Sequence, residues 1–181
     1  MQPDSTGSPW RLIDQRPGPS RWINVVTNTY EMPDGSATKW DLMVASDAVA
    51  VVALTEEHDV ILARQYRPGP GVFLNELPGG EVDEGESPAE AAARELREET
   101  GFEGDLIILG HSWQGANITR RKWAALATDC RALGKPCLEL TDEFCETLRV
   151  SMMEFRELVR SGQLTDAWAG YRALDHLGLL G

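Results

Sequence analysis

Both ends of one helix are written into the chain between Ser87 and Gly101, and the fold must accommodate it. Ser87 at the N-cap, Pro88 at the first helical position and Glu90 three residues after the serine form a capping box. In that motif the hydroxyl and the carboxylate each satisfy an otherwise orphaned backbone N–H. Gly101 is the left-handed residue expected to close the helix. A second box, Ser151 with Glu154, opens a helix to about residue 160 that Ser161-Gly162 ends, and a final helix is predicted over 166–177.

Between the helices the pattern is that of strands. Residues 22–30 and 37–45 are β-rich runs joined through Pro33-Asp34-Gly35, which predicts a hairpin. The continuous apolar run 48–54 suits a central strand, 60–66 its partner after a polar turn, and 72–77 a short strand leading into Pro78-Gly79-Gly80. Further strands are predicted over 105–109, 123–128 and 144–150. Strands interleaved with helices predict an α/β fold, a mixed sheet covered by helices. Residues 1–20 are rich in Pro, Gly and Ser, show no apolar period and are expected to form a loosely held lead-in.

Composition removes several classes of function. A chain of 181 residues, 42% hydrophobic and 25% charged, suits one compact domain with a small appendage. Seventeen basic against twenty-nine acidic residues give a net charge of −12, which repels a phosphate backbone, so no nucleic-acid partner is expected. A small phosphorylated ligand stays open, because a bound divalent cation reverses the local field of carboxylates. The apolar run 48–54 is far short of the roughly 18–20 residues needed to cross a bilayer, so no membrane partner is expected. The start of the chain lacks the basic and apolar stretches of a secretion signal, which predicts a cytoplasmic location. Cys130, Cys137 and Cys145 have no Cys-x-x-Cys spacing and predict reduced thiols.

The helix from Ser87 also carries candidate chemistry. Glu90 with Arg94, and Arg94 with Glu98, have the four-residue spacing of surface ion pairs and need no function. Glu95 and Glu99 are four apart as well, so like charges stack on one stripe with Glu98 beside them. A hard divalent ion such as Mg²⁺, which takes oxygen ligands, would offset that repulsion, whereas zinc or copper would ask for His or Cys nearby.

Gly80, five residues, Glu86, seven residues, then Arg94-Glu95-Leu96-Arg97-Glu98-Glu99-Thr100-Gly101-Phe102 resembles the Nudix hydrolase signature at every fixed position. Phe102 stands where an aliphatic residue is commoner. The likeness runs over roughly residues 22–150, towards the ADP-ribose and ADP-sugar pyrophosphatases of that family. Arg64-Gln65-Tyr66-Arg67-Pro68 and Glu76-Leu77-Pro78-Gly79-Gly80 look like that subgroup's entry to its active site, with Gly79 in place of its usual Ala, expected to be a mild change.

The resemblance implies a Nudix-like α/β/α sandwich with a mixed sheet over 47–181, preceded by an N-terminal β-hairpin subdomain over 21–46 that reaches across a homodimer. It implies hydrolysis of the pyrophosphate bond of ADP-ribose or a related nucleoside diphosphate sugar, dependent on Mg²⁺ with Mn²⁺ as the alternative, giving a nucleoside monophosphate and a sugar phosphate. The competing readings are a non-catalytic nucleotide-sensing module and a hydrolase of nucleoside triphosphates or dinucleotides.

By the same resemblance the metal ligands are Glu95 and Glu99, with Glu98 assisting and the backbone carbonyl of Gly79 completing the set. Glu86 and Arg94 tie the loop to the helix. Glu143, in the segment 141–146, is the candidate general base and Glu146 the fallback. Arg67 is expected to grip substrate phosphate with its planar fork, with Arg64 and Glu76 of the same entry motif beside it. Trp22 and Trp40 fall where relatives sandwich the base. The chain departs from the ADP-ribose enzymes after the signature, where Ala116 replaces a usual Pro. There Arg120-Arg121-Lys122 makes a basic cluster that either meets a different distal group or faces solvent.

Overall fold

The computed structural model describes residues 11–18, 23–67, 69–134 and 145–180. They divide into two compact units, Met1–Ser46 with Trp113–Arg120, and Asp47–Ser112 with Arg121–Gly181.

In the first unit β1 (Arg11–Pro17), β2 (Val25–Glu31) and β3 (Ala37–Met43) form an antiparallel sheet in that order. The β2–β3 turn works as its sequence requires: Gly35 takes φ 82°, and the Asp34 carboxylate accepts from the Ser36 hydroxyl at 2.7 Å and its amide at 2.9 Å. The lead-in expected over residues 1–20 must be corrected, because Arg11–Pro17 pairs along β2 from Arg11↔Glu31 to Pro17↔Val26. The strand carries no apolar period because it is an exposed edge, and a register shift between Leu12 and Asp14 breaks its alternation. Cross-strand polar pairs support it instead: Arg11 with Glu31, and the Gln15 amide donating to Asn28 Oδ1 at 2.8 Å. The segment after the signature joins this unit, with Met43 N donating to the Asn117 carbonyl at 2.8 Å and Thr119 N to the Met43 carbonyl at 3.0 Å.

The second unit contains β4 (Ala48–Thr55), β5 (Val60–Arg67), β6 (Val72–Glu76), β7 (Phe102–Trp113), β8 (Arg121–Ala132) and β9 (Cys145–Val150). Its helices are α1 (Pro88–Thr100), α2 (Met152–Ser161) and α3 (Ala167–His176). The sheet order is β6-β5-β4-β8-β7, with β9 also on β5; β4 runs parallel to β8 and antiparallel to β5. This is the mixed sheet expected. β4 reads as a continuous apolar run because both its faces are covered. Ala50, Val52 and Leu54 pack with Phe155 and Val159 of α2 and Ala173 and Leu174 of α3, whereas Val49, Val51 and Ala53 pack with Ala91, Ala92 and Leu96 of α1. The result is the α/β/α sandwich.

Both capping boxes form, and Gly101 and Gly162 close their helices at φ 72° and 71°. β7 and β8 extend several residues beyond the predicted 105–109 and 123–128, into stretches of polar, charged and glycine residues that carry no continuous apolar run. Among the described residues no helix is long and apolar enough to cross a membrane.

Candidate active site

The chain leaving β6 is registered directly onto β4. Val51 N donates to the Pro78 carbonyl and Val49 N to the Gly80 carbonyl, each at 2.9 Å. Gly79, between them, faces the other way, and its N–H donates to Glu99 Oε2 at 2.9 Å. A Cβ at Gly79 would lie 2.1 Å from the Val49 carbonyl oxygen, so glycine here is not the mild change expected: the close approach of the loop to β4 requires it. We expect Gly79→Ala to lift the loop off β4 and lower stability by about 1–3 kcal/mol, read by urea unfolding; an unchanged midpoint would mean the loop has room to spare.

On α1 the capped helix presents Glu95 and Glu99 on one stripe. Glu99 is buried, 7% exposed, with Oε1 accepting from Gln65 Nε2 at 2.9 Å and Oε2 from Gly79 N. Burial pushes its pKa up to about 7, against the bond from Gly79, with the charge of Glu95 adding to the rise and Gln65 and Arg67 opposing it. Glu95 is shifted up as well, first by burial, with Arg94 working against it and Glu98 and Glu86 adding to it. Glu98 sits beside them, half exposed.

Arg94 is the hub of the stripe. Its Nε and Nη2 bind the two oxygens of Glu86 at 3.0 Å each, and Nη2 also donates to the Glu81 carbonyl at 2.9 Å. Its Nη1 lies 2.7 Å from Glu95 Oε1 and 3.3 Å from Glu98 Oε2. The bidentate pair with Arg94 holds the Glu86 carboxyl below the usual range. Loop and helix are thereby tied together as the resemblance implied.

Strand alternation sorts the remaining candidates. Ile61 packs on the α1 side of the sheet and Leu62 on the α2/α3 side, so Gln65 and Arg67 face α1 and Arg64 faces away. Arg67 grips Glu76 in a fork, Nε to Oε1 at 3.0 Å and Nη2 to Oε2 at 2.5 Å, and Glu76 is buried. Arg64 pairs instead with Glu146 at 3.6 Å and lies 5.2 Å over the Phe73 ring. Glu146, opposite Arg64 across β5 and β9, shares that far face, whereas its neighbour Thr147 turns to α1 and donates to the Thr100 carbonyl at 3.4 Å. The structure therefore does not bring Arg64 or the fallback base Glu146 to Glu99. The faces are set by register and not by closeness in sequence.

Trp40 is an exposed residue of β3 in the first unit. Trp22 and Glu143 lie outside the described residues. The basic cluster disperses: Arg120 Nε donates to the Ser46 carbonyl at 2.6 Å, Arg121 pairs with Asp47 at 2.7 Å, and Lys122 pairs with Asp166. Cys130 is buried, and burial raises its thiol to about 11, which suits an unreactive core residue.

One residue of the site was passed over in the sequence reading. Gln65 is 3% exposed and donates to Glu99, yet it entered the reading only as part of the entry motif. Its signal was present, since a polar residue falls on the α1 side of a strand where Ile61 and Ala63, the residues before it on that side, are apolar. Among the described residues, no three His, Cys, Asp or Glu side chains already converge as a metal cluster; Glu95 is drawn onto Arg94.

Residues 45–176, well over half of the chain, match the NUDIX domain family model. The chain is 28% identical over 165 residues to an ADP-ribose pyrophosphatase of Bacillus subtilis (strain 168), covering 87% of this chain and 85% of that protein. It is 37% identical over 97 residues to an ADP-sugar pyrophosphatase of Mus musculus, covering 48% of this chain but only 44% of the mouse protein. A crystal structure of an ADP compounds hydrolase superposes with a TM-score of 0.78 at 22% identity, over 96% of this chain and 98% of that one, a likeness of fold. With the signature stripe intact on α1 and the family match spanning the whole second sheet, the chain belongs to the Nudix hydrolase family.

Proposed function

We propose that the protein hydrolyses the pyrophosphate bond of ADP-ribose or a related nucleoside diphosphate sugar, dependent on Mg²⁺ or Mn²⁺, giving a nucleoside monophosphate and a sugar phosphate. The observation that carries this reading is the stripe itself: Glu95 and Glu99 stack one turn apart on α1, with Glu99 buried at 7% exposure and its oxygens held by Gln65 and the Gly79 amide. Such a pair is better explained by a cation it is built to receive than by packing. The donors fit a hard ion, since Glu95, Glu99, Glu98 and the Gly79 carbonyl, the groups that would hold it, offer only oxygen. A divalent ion held there would supply charge neutralisation at the pyrophosphate oxygens and a more acidic water.

The chain's own residues do the rest. Arg67 faces α1 with its fork held by Glu76, so the guanidinium is pre-aimed and can exchange that carboxylate for a substrate phosphate of similar geometry. Glu143 is assigned the base that takes a proton from the attacking water as the bridging P–O bond breaks. Trp40 and Trp22 are assigned to stacking on the base. The substrate class is supported by the names of the relatives from Bacillus subtilis and Mus musculus. We further propose a cytoplasmic homodimer assembled through the three-stranded sheet.

The test is a panel of ADP-ribose, other nucleoside diphosphate sugars, dinucleotides and nucleoside triphosphates, each incubated with Mg²⁺ and with chelator, with products identified by chromatography. AMP and ribose 5-phosphate from ADP-ribose with metal alone are expected. Equal or absent turnover in both conditions overturns the hydrolase reading, and faster release from triphosphates moves the substrate.

A further inference from the structure

We propose that Gln65 is a positioning residue that holds the Glu99 carboxylate in the orientation from which it ligates the cation. The inference rests on the reading of Glu99 as a ligand and adds a role for a residue outside the signature. A carboxylate only accepts, so the Gln65 amide must present its NH₂ to Oε1, and it does so at 2.9 Å from a site 3% exposed. The second oxygen is held by the Gly79 amide, also at 2.9 Å. The two donors come from different elements, a strand side chain of β5 and the loop backbone after β6, so together they fix both position and plane of the carboxylate. Each oxygen keeps a further acceptor site, which leaves Glu99 free to ligate while it is held.

The burial pattern of β5 does not by itself ask for a glutamine at this position. Its neighbours on the α1 side of β5, Ile61 and Ala63, are buried and apolar, and an apolar residue at 65 would suit the packing. What an apolar residue would not supply is a donor for Glu99 Oε1, leaving one oxygen of a buried acid unheld.

Gln65→Met keeps the length of the side chain and removes the donor. Two readouts are needed: Mn²⁺ affinity of the substrate-free protein by EPR of the free ion, and kcat and KM for ADP-ribose. Loss of a group that orients a metal ligand typically costs about 10–100-fold. Mn²⁺ affinity and kcat are both expected to fall by that factor, with KM held within about threefold. A folded Gln65→Met with the Mn²⁺ affinity and kcat of the wild type overturns the proposal, since a packing role alone would be met by methionine. Should that variant fail to fold, Gln65→Thr, a good strand former too short to reach Glu99, carries the same expectation and the same refutation. Glu99→Gln is measured alongside. If it binds Mn²⁺ as the wild type does, the ligand reading fails and takes the proposal with it; if it loses Mn²⁺ while Gln65→Met does not, only the role of Gln65 falls.

Discussion

Glu99→Gln is expected to lower turnover on the order of a thousandfold, about 4 kcal/mol of barrier, while making the metal-free protein more stable at alkaline pH. The two halves follow from the same burial. The substitution keeps the shape but removes a charge with which the proposed cation would be held, so the rate is expected to fall. The stability effect has a definite sign. The folded-state pKa of Glu99 stands near 7 against an ordinary 4.5, so the folded state holds the proton more tightly than the unfolded chain. Its contribution is fully present below the unfolded value and is lost as pH rises through about 7. Urea unfolding in chelator should show the wild type losing more stability between pH 5 and pH 8 than Glu99→Gln, with added Mg²⁺ restoring the wild type only. An equal pH slope in both proteins, or unimpaired turnover in the variant, would remove Glu99 from the centre of the site.

Arg94→Met is expected to destabilise the fold by about 3 kcal/mol, the low end for breaking a buried ion pair, since the guanidinium keeps partial access to solvent. The substitution strands Glu86, Glu95 and Glu98 without their common cation and leaves the Glu81 carbonyl without its donor. Because those losses share one hub they cannot add independently. The double variant Arg94→Met with Glu86→Leu should be less destabilised than the sum of the singles, as measured by denaturant unfolding. Simple additivity would mean that Arg94 and Glu86 act separately and that the tie between loop and helix is illusory.

What the sequence made legible is what is local. The ends of α1 follow from Ser87, Glu90 and Gly101, all within one turn of the positions they cap. The stripe of Glu95 and Glu99 follows from helical spacing alone. The strand β4 is readable because its apolar run has no polar face. What was missed depends on partners distant in the chain. β1 is held by cross-strand pairs to β2 rather than by burial, so it carries no pattern of its own. The face taken by Glu146 follows from its register against Arg64 on β5, a pairing that no spacing within 144–150 announces. The cluster of Arg120-Arg121-Lys122 was left open between a distal group and solvent, and the acceptors of Arg121 and Lys122, Asp47 and Asp166, are likewise distant in the chain. The need for glycine at 79 comes from the carbonyl of Val49, thirty residues earlier in the chain.

The registration of Pro78 and Gly80 onto β4 is made entirely by main-chain atoms. The spacing between the loop and α1 therefore depends on the path of β4 more than on which apolar side chains the strand carries. The same bonds make the amide protons of Val49 and Val51 reporters on that spacing, since each can exchange with solvent only when the loop comes away from the strand.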